Sequence, residues 1–309
     1  MLFNKDERGS QELYNISGIF QAGADYRNIE AEVNSALETV RDIIGPSVMS
    51  DAEQAYEQLV IPPCKEALVK AVQLPVAYLA IAMHAQLSLV AHGETGRKIK
   101  ADDNEKIPFA WMIDRDDRAL RERYYRAMDS LLRFLDNSDI TSWKESAANG
   151  LVKTSVIKTI RQFEMVYPLE QSSYMFHQLL PILVEIQSTR LKAIVGVDNL
   201  VKLIEDDPSV ADLKEPSVRF LAIRAIIVAI ERWSIDAFPL SVARRFSPTY
   251  QGEKQSSAAA KEEMDWYISK LNLQAQDAAL DLQTVLSGNP YKDMSLIPEN
   301  DPKNKYFTV

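Results

Sequence analysis

Along this chain, apolar residues recur at steps of three and four far more often than they alternate, which is the period of helices. The most apolar stretch is Tyr78–Ala91, YLAIAMHAQLSLVA, interrupted only by a histidine, a glutamine and a serine. At helical pitch it is apolar on almost every side, which predicts a buried central helix. It is shorter than the roughly 20 residues that cross a bilayer. A second such stretch, Phe220–Trp233, FLAIRAIIVAIERW, shares the triplet Leu-Ala-Ile with the first, at Leu79–Ile81 and Leu221–Ile223.

The residues between these landmarks predict further helices. A short one lies near Glu12–Phe20. Asp25 is placed to cap another that runs to Ile44, with Ile29, Val33, Ala36, Leu37, Val40, Ile43 and Ile44 on one face. Gly45 and Pro46 are expected to stop it. Ser50–Val60 predicts a helical piece, and Glu66–Val90 a longer one containing Pro75. Residues 92–110 are polar and loop-like, with a brief extended piece at Lys98–Lys100. Asp114–Asn137 predicts an amphipathic helix with Leu120, Tyr124, Met128, Leu131, Leu132 and Leu135 inward, followed by a polar connection carrying Trp143.

The second half repeats the plan. Lys153–Tyr167 predicts a helix. With Gly196 aligned on Gly45, Leu180 falls on Ile29, Val184 on Val33, Leu191 on Val40 and Ile194 on Ile43. Pro181 sits near the start of this segment. A long helix is expected at Ser257–Leu286, where Trp266-Tyr267 takes the place of Tyr124-Tyr125. The spacing from Tyr78 to Tyr125 equals that from Phe220 to Tyr267. The expected fold is therefore all-α, with two similar helical halves, an internal duplication, forming one elongated unit. The expected divisions are 1–149, 150–287 and an extended C-terminal tail at 288–309.

Composition narrows the function classes. Ten glycines in 309 residues disfavour a turn-rich β fold, and 46% apolar with 26% charged is globular. A net charge of −9 disfavours tight nucleic-acid binding, which needs clustered Lys and Arg. The single Cys64 forms no internal disulfide and points to a reducing compartment. The first residues, MLFNKDERGS, lack the apolar core of a signal peptide. No membrane anchor is expected.

Candidate chemistry is sparse. His84, His92 and His177 show no His-x-x-x-His spacing, and a zinc site needs three or four convergent ligands, so no metal is expected. His84 reads as a core histidine with a local partner. Asp102-Asp103-Asn104-Glu105 lacks the alternation and central glycine of a calcium loop. Gly93-Glu94-Thr95-Gly96-Arg97-Lys98 lacks the Gly-Lys-Ser/Thr ending of a phosphate loop. No catalytic residue and no cofactor is expected. Arg115, Arg118, Arg121, Arg123 and Arg126 crowd one helix among acids. They form either a solvated face with internal pairs or a protein interface. Arg244-Arg245 lies in the corresponding region of the second half. The tail, with Tyr291, Leu296, Ile297, Tyr306 and Phe307, carries apolar residues suited to a docking arm that orders on contact.

The order of short helix, helix ending in Ile-Ile-Gly (ALETVRDIIG, Ala36–Gly45), Ala- and Leu-rich buried helix, polar loop and amphipathic helix resembles the head–tail connector (adaptor) proteins of tailed bacteriophages. The chain is also similar to uncharacterised helical proteins of Bacteroidetes phages and prophages. The resemblance covers each half, omits the tail, and departs from a single-unit connector by occurring twice. It implies a structural virion protein without catalysis, assembled in the bacterial host cytoplasm into a homo-oligomeric ring of the neck. Portal and tail or other neck proteins would be its partners, and genome DNA would pass nearby without specific binding. A cytosolic helical adaptor with one partner protein, or a helical enzyme with a scattered site, are the alternatives.

Overall fold

The computed structural model describes residues 2–58, 62–88, 90–93, 96–99, 109–233 and 261–288. The protein is all-α, as expected. Its helices are α1 (Gly9–Ser17), α2 (Glu30–Ile44), α3 (Pro46–Glu57), α4 (Pro63–Ser88), α5 (Ala110–Asp136), α6 (Thr141–Lys144), α7 (Ala147–Thr154), α8 (Ile160–Glu164), α9 (Ser173–Ile186), α10 (Lys192–Val195), α11 (Val197–Ile204), α12 (Ala211–Arg232) and α13 (Lys261–Ser287). A two-stranded antiparallel hairpin, β1 (Val90–Gly93) and β2 (Gly96–Ile99), pairs Val90 with Ile99 between α4 and α5. The expected loop there holds this hairpin, and the extended piece starts two residues earlier than Lys98.

The described chain forms two compact units, the first built from residues up to Lys153 with Leu169–Leu180, the second from Thr154–Pro168 and Pro181 onward. The expected boundary at 149/150 falls inside α7, because the segment that crosses it is helical. A second division falls inside α9, between Leu180 and Pro181.

In the first unit α4 is central and packs on α1, α2, α3 and α5. The segment Lys65–Ser88 contains an 18-residue stretch with a mean hydropathy of 1.4, long and apolar enough to cross a membrane, and half of that stretch is buried within the chain. Its burial fades toward the end. Val72, Val76, Ala77 and Ala80 are fully buried, Leu79 is half-buried, and Gln86, Leu87 and Ser88 are exposed. The expectation of a helix buried over Tyr78–Ala91 is corrected: it ends at Ser88, and Val90 and Ala91 belong to β1. Leu2 and Phe3 are buried, and the Gln73 amide donates to the Leu2 carbonyl at 2.7 Å. Asp25 caps a short 3-10 turn, Tyr26–Asn28, by accepting from the Arg27 N–H, so α2 starts only at Glu30. The inner face expected of α5 is buried in full. The polar connection after it is corrected to two short helices, and Trp143 on α6 is 1% exposed.

In the second unit α12 is central and packs on α8, α11 and α13. It is buried on nearly every side, including Phe220, Leu221, Ala222 and Ile223. The helix expected over Lys153–Tyr167 is corrected to the short α8. Val156 instead donates its backbone N–H to the Gln187 side chain at 2.8 Å, while Gln187 donates to the Thr154 carbonyl at 2.7 Å. That leaves 155–157 non-helical. Thr159 and Gln162 then form a reciprocal capping box that restarts the helix. Gln187 itself belongs to a π-helical turn, Gln187–Leu191, between α9 and α10.

Two glycines organise the two units alike. Gly45 joins α2 to α3 with φ 92° and ψ 152°, and Gly196 joins α10 to α11 with φ 81° and ψ 169°. This backbone region is open to glycine almost alone. Gly45 and Pro46 end α2 as expected, and Pro46 also begins α3, at a position where its missing N–H costs nothing. Before the junctions Ile44 and Val195 are buried, and after them Met49 and Ala52 match Leu200 and Leu203, all buried.

Candidate functional site

The described candidate residues lie on the first turns of α5. Arg115 is exposed and Arg118 half-buried, and both have interaction partners. Arg244, Arg245, Tyr291, Leu296, Ile297, Tyr306 and Phe307 lie outside the described residues. What the structure places beside Arg115 is apolar. Leu87 ends α4, and Phe109, Trp111 and Met112 begin α5, each 41–68% exposed. The side chain of Gln86 reaches Asp117 at 3.5 Å, so the end of α4 lies beside the second turn of α5. The exposed Phe109, Trp111 and Met112 at the start of α5, followed by arginines on its next turns, suit a contact surface for protein, because aromatics, Met and Arg are the residues enriched where proteins meet. Sequence reading missed these four: Leu87 reads as core, and Phe109–Met112 falls between a loop and the predicted start of α5 at Asp114.

Further along α5 the arginine face is partly spent inside its unit. Arg123 stacks over the Tyr78 ring at 5.8 Å, and Arg133 donates to the Gln171 carbonyl at 3.2 Å. The interior beneath is aromatic. Tyr124, Tyr125 and Tyr174 lie with ring centroids 5.6–6.3 Å apart, and burial pushes the Tyr124 hydroxyl well above the usual tyrosine range. Asp129 accepts from the Tyr174 N–H and the Ser172 hydroxyl, both at 2.9 Å, yet burial holds its carboxyl above the usual carboxylate range.

Asp136 accepts from the Trp143 indole N–H at 3.1 Å and faces His177 Nε2 at 3.3 Å. The His177 ring packs on Trp143 and Phe176. Asp136 aligns both rings. His84, expected as a core histidine, is half-buried, lies edge-on to Phe20 and sits 3.7 Å from Glu32. Among the described residues no group of three His, Cys, Asp or Glu converges as a metal site would require.

The second unit uses its charges to fasten its turns. Lys214 donates to the Val156 and Leu203 carbonyls at 3.0 and 3.1 Å and to Asp206 at 2.5 Å, and Lys158 also reaches Asp206 at 2.5 Å. Burial opposes ionisation of Asp206, but these two ammonium groups outweigh it and hold the carboxyl below its usual range. Arg232 clamps Glu185 with two bonds of 2.5 and 2.7 Å. On α13, Trp266, Leu273 and Leu280 are exposed while Leu271, Ala275, Ala278 and Leu282 are buried. The expected pairing of Trp266 with Tyr124 is corrected here: Tyr124 faces inward and Trp266 outward. Tyr267 is the residue in step with the buried series, and its hydroxyl bonds that of Tyr167 at 2.8 Å. The equal spacing of 47 residues therefore compares positions on different helix faces.

Compared with known proteins, the chain matches no family model, no curated protein and no solved structure.

Proposed function

We propose that the chain is a structural subunit of a tailed-phage neck: a ring component that joins portal to tail and performs no chemistry. The observation that carries this reading is the order of elements in each unit. Among the described residues, α2, Gly45, α3, α4 and α5 come in that order in the first unit, and α10, Gly196, α11, α12 and α13 in the second, with both glycines at positive φ. This order supports a reading as two units of the kind the sequence resembles. The apolar tip at Leu87, Phe109, Trp111 and Met112 supplies a surface for a neighbouring protein. A net charge of −9 suits a channel along which DNA slides without being gripped. In this reading each chain contributes two connector-like units, so the ring holds half as many chains as units. The C-terminal segment, 288–309, adds a docking arm.

Negative-stain imaging of the purified protein, alone and with portal, tests it. Rings that join the portal support the reading. A monomer that ignores portal but captures one other partner moves the protein to the rival class, a helical adaptor. Truncation after Ser287 is expected to leave a folded helical protein with defective assembly; normal assembly removes the arm from the reading.

A further inference from the structure

The outer face of α13 carries a stripe the connector reading does not use. Trp266, Leu273 and Leu280 stand seven residues apart and are 46–59% exposed. Seven residues is the repeat of a helix–helix seam. Between them, three residues on from Trp266 and from Leu273, stand the uncharged Ser269 and Gln276. The face opposite is already satisfied by Leu271, Ala275, Ala278 and Leu282 within the unit. The corresponding helix of the first unit, α5, carries polar residues at the matching positions. With Tyr124 matched to Tyr267 and Met128 to Leu271, the positions of Trp266, Leu273 and Leu280 hold Arg123, Ser130 and Asn137.

The charges flanking the stripe name its occupant. Lys270 follows Trp266 by four residues and Asp277 follows Leu273 by four, so both lie on the same flank of the seam, and both are exposed. When two antiparallel copies of this helix cross on a twofold axis at Leu273, like flanks meet. Trp266 then faces Leu280 of the second copy, the two Leu273 side chains meet on the axis, and Lys270 comes within one residue of Asp277 of the second copy. Both apolar layers and both charges are matched by one operation, which is the self-complementarity an isologous contact requires. We infer that the Trp266–Leu280 face of α13 is a homodimer contact that pairs antiparallel with the same face of a second copy. The seam spans about 21 Å of helix. It closes at two copies, so it is separate from any contact that closes a ring and does not rest on that reading.

The test uses the full chain in a Cys64→Ser background. Under mild oxidation Leu273→Cys is expected to give a covalent dimer, because the two residues meet on the axis. Leu280→Cys, whose counterpart then lies about 21 Å away, is expected to form no covalent dimer. Sedimentation of the chain without added cysteines is expected to show a concentration-dependent monomer–dimer equilibrium. Lys270→Glu or Asp277→Lys alone should weaken it by about tenfold or more, since each sets like charges together twice. The double exchange should restore it, and circular dichroism verifies that each variant is folded. Cross-linking at both cysteine positions would mean parallel pairing and overturn the proposal. So would a chain that stays monomeric throughout, or a double exchange that fails to rescue.

Discussion

Helices α5 and α13 are both 27 residues long and both pack on the long apolar helix of their own unit. Their inner faces are alike, Tyr124, Met128, Leu132 and Leu135 on one and Tyr267, Leu271, Ala275 and Ala278 on the other. Their outer faces are not. One exposes Arg123, Ser130 and Asn137, the other Trp266, Leu273 and Leu280. The inner faces answer to folding and have few solutions. The outer faces are free to answer to partners, and an exposed apolar stripe is tolerated only where something else covers it. The first unit places its own exposed apolar residues elsewhere, at the tip where α4 ends and α5 begins.

The contrast can be broken most sharply in the core. Leu131→Ala and Leu282→Ala, both at fully buried positions, are each expected to cost roughly 2–5 kcal/mol in chemical denaturation. Leu273→Ala, at an exposed position of α13, is expected to stay within about 0.5 kcal/mol for the monomer. An equal loss at Leu273 and Leu282 would mean that the outer face is covered in the free chain. The same logic separates Leu221→Ala, in the fully buried middle of α12, from Leu79→Ala, which should cost less because Leu79 is only half-buried.

Next in size are the glycine junctions. Gly45→Ala and Gly196→Ala should each destabilise by about 1–3 kcal/mol, since a Cβ is strained at these angles. Nothing lies within 4 Å of a Cβ at Gly196, and only Ser146 at 3.6 Å does so at Gly45, so the backbone alone sets the cost. Thermal melts that show one junction tolerant and the other not would break the parallel between the units.

A smaller effect comes from the half-buried carboxyls. Burial raises Glu12, despite the Tyr56 hydroxyl donating to it, above its ordinary 4.5, and raises Asp129 above 3.8. A raised acid binds its proton more tightly in the folded state. Its contribution is therefore complete below the unfolded value and lost as pH rises through the folded one. Asp206 has the opposite sign: held below 3.8, it contributes above that value and loses the contribution as pH falls through its folded value. Glu12→Gln should flatten the decline in stability on raising pH from 4 toward neutrality. Asp206→Asn should lower stability at neutral pH and remove part of the loss in strong acid. Denaturant midpoints across pH check both; a steeper decline for Glu12→Gln would reverse the sign assigned to its burial.

The sequence by itself determined the helical period, the inner face of α5, the two apolar central helices and the two glycine junctions. Each of these follows from spacing within one element, and spacing is visible in a string. The bounds failed where a side chain far along the chain takes a backbone group. Gln187 captures the Val156 N–H, and so the helix predicted over Lys153–Tyr167 breaks. The match of Trp266-Tyr267 to Tyr124-Tyr125 failed by one residue, because one step along a helix turns the side chain by about 100°, and only packing says which of two adjacent aromatics faces in. Half of the candidate arginine surface was legible, since five arginines on one helix are plain in the sequence. Its exposed apolar neighbours were not: Leu87 reads as core, and Phe109, Trp111 and Met112 precede the predicted start of α5, so only the tertiary structure shows them exposed. Whether a leucine belongs to a core or to an interface is decided by what stands across from it, and that is a property of the fold, not of the residue.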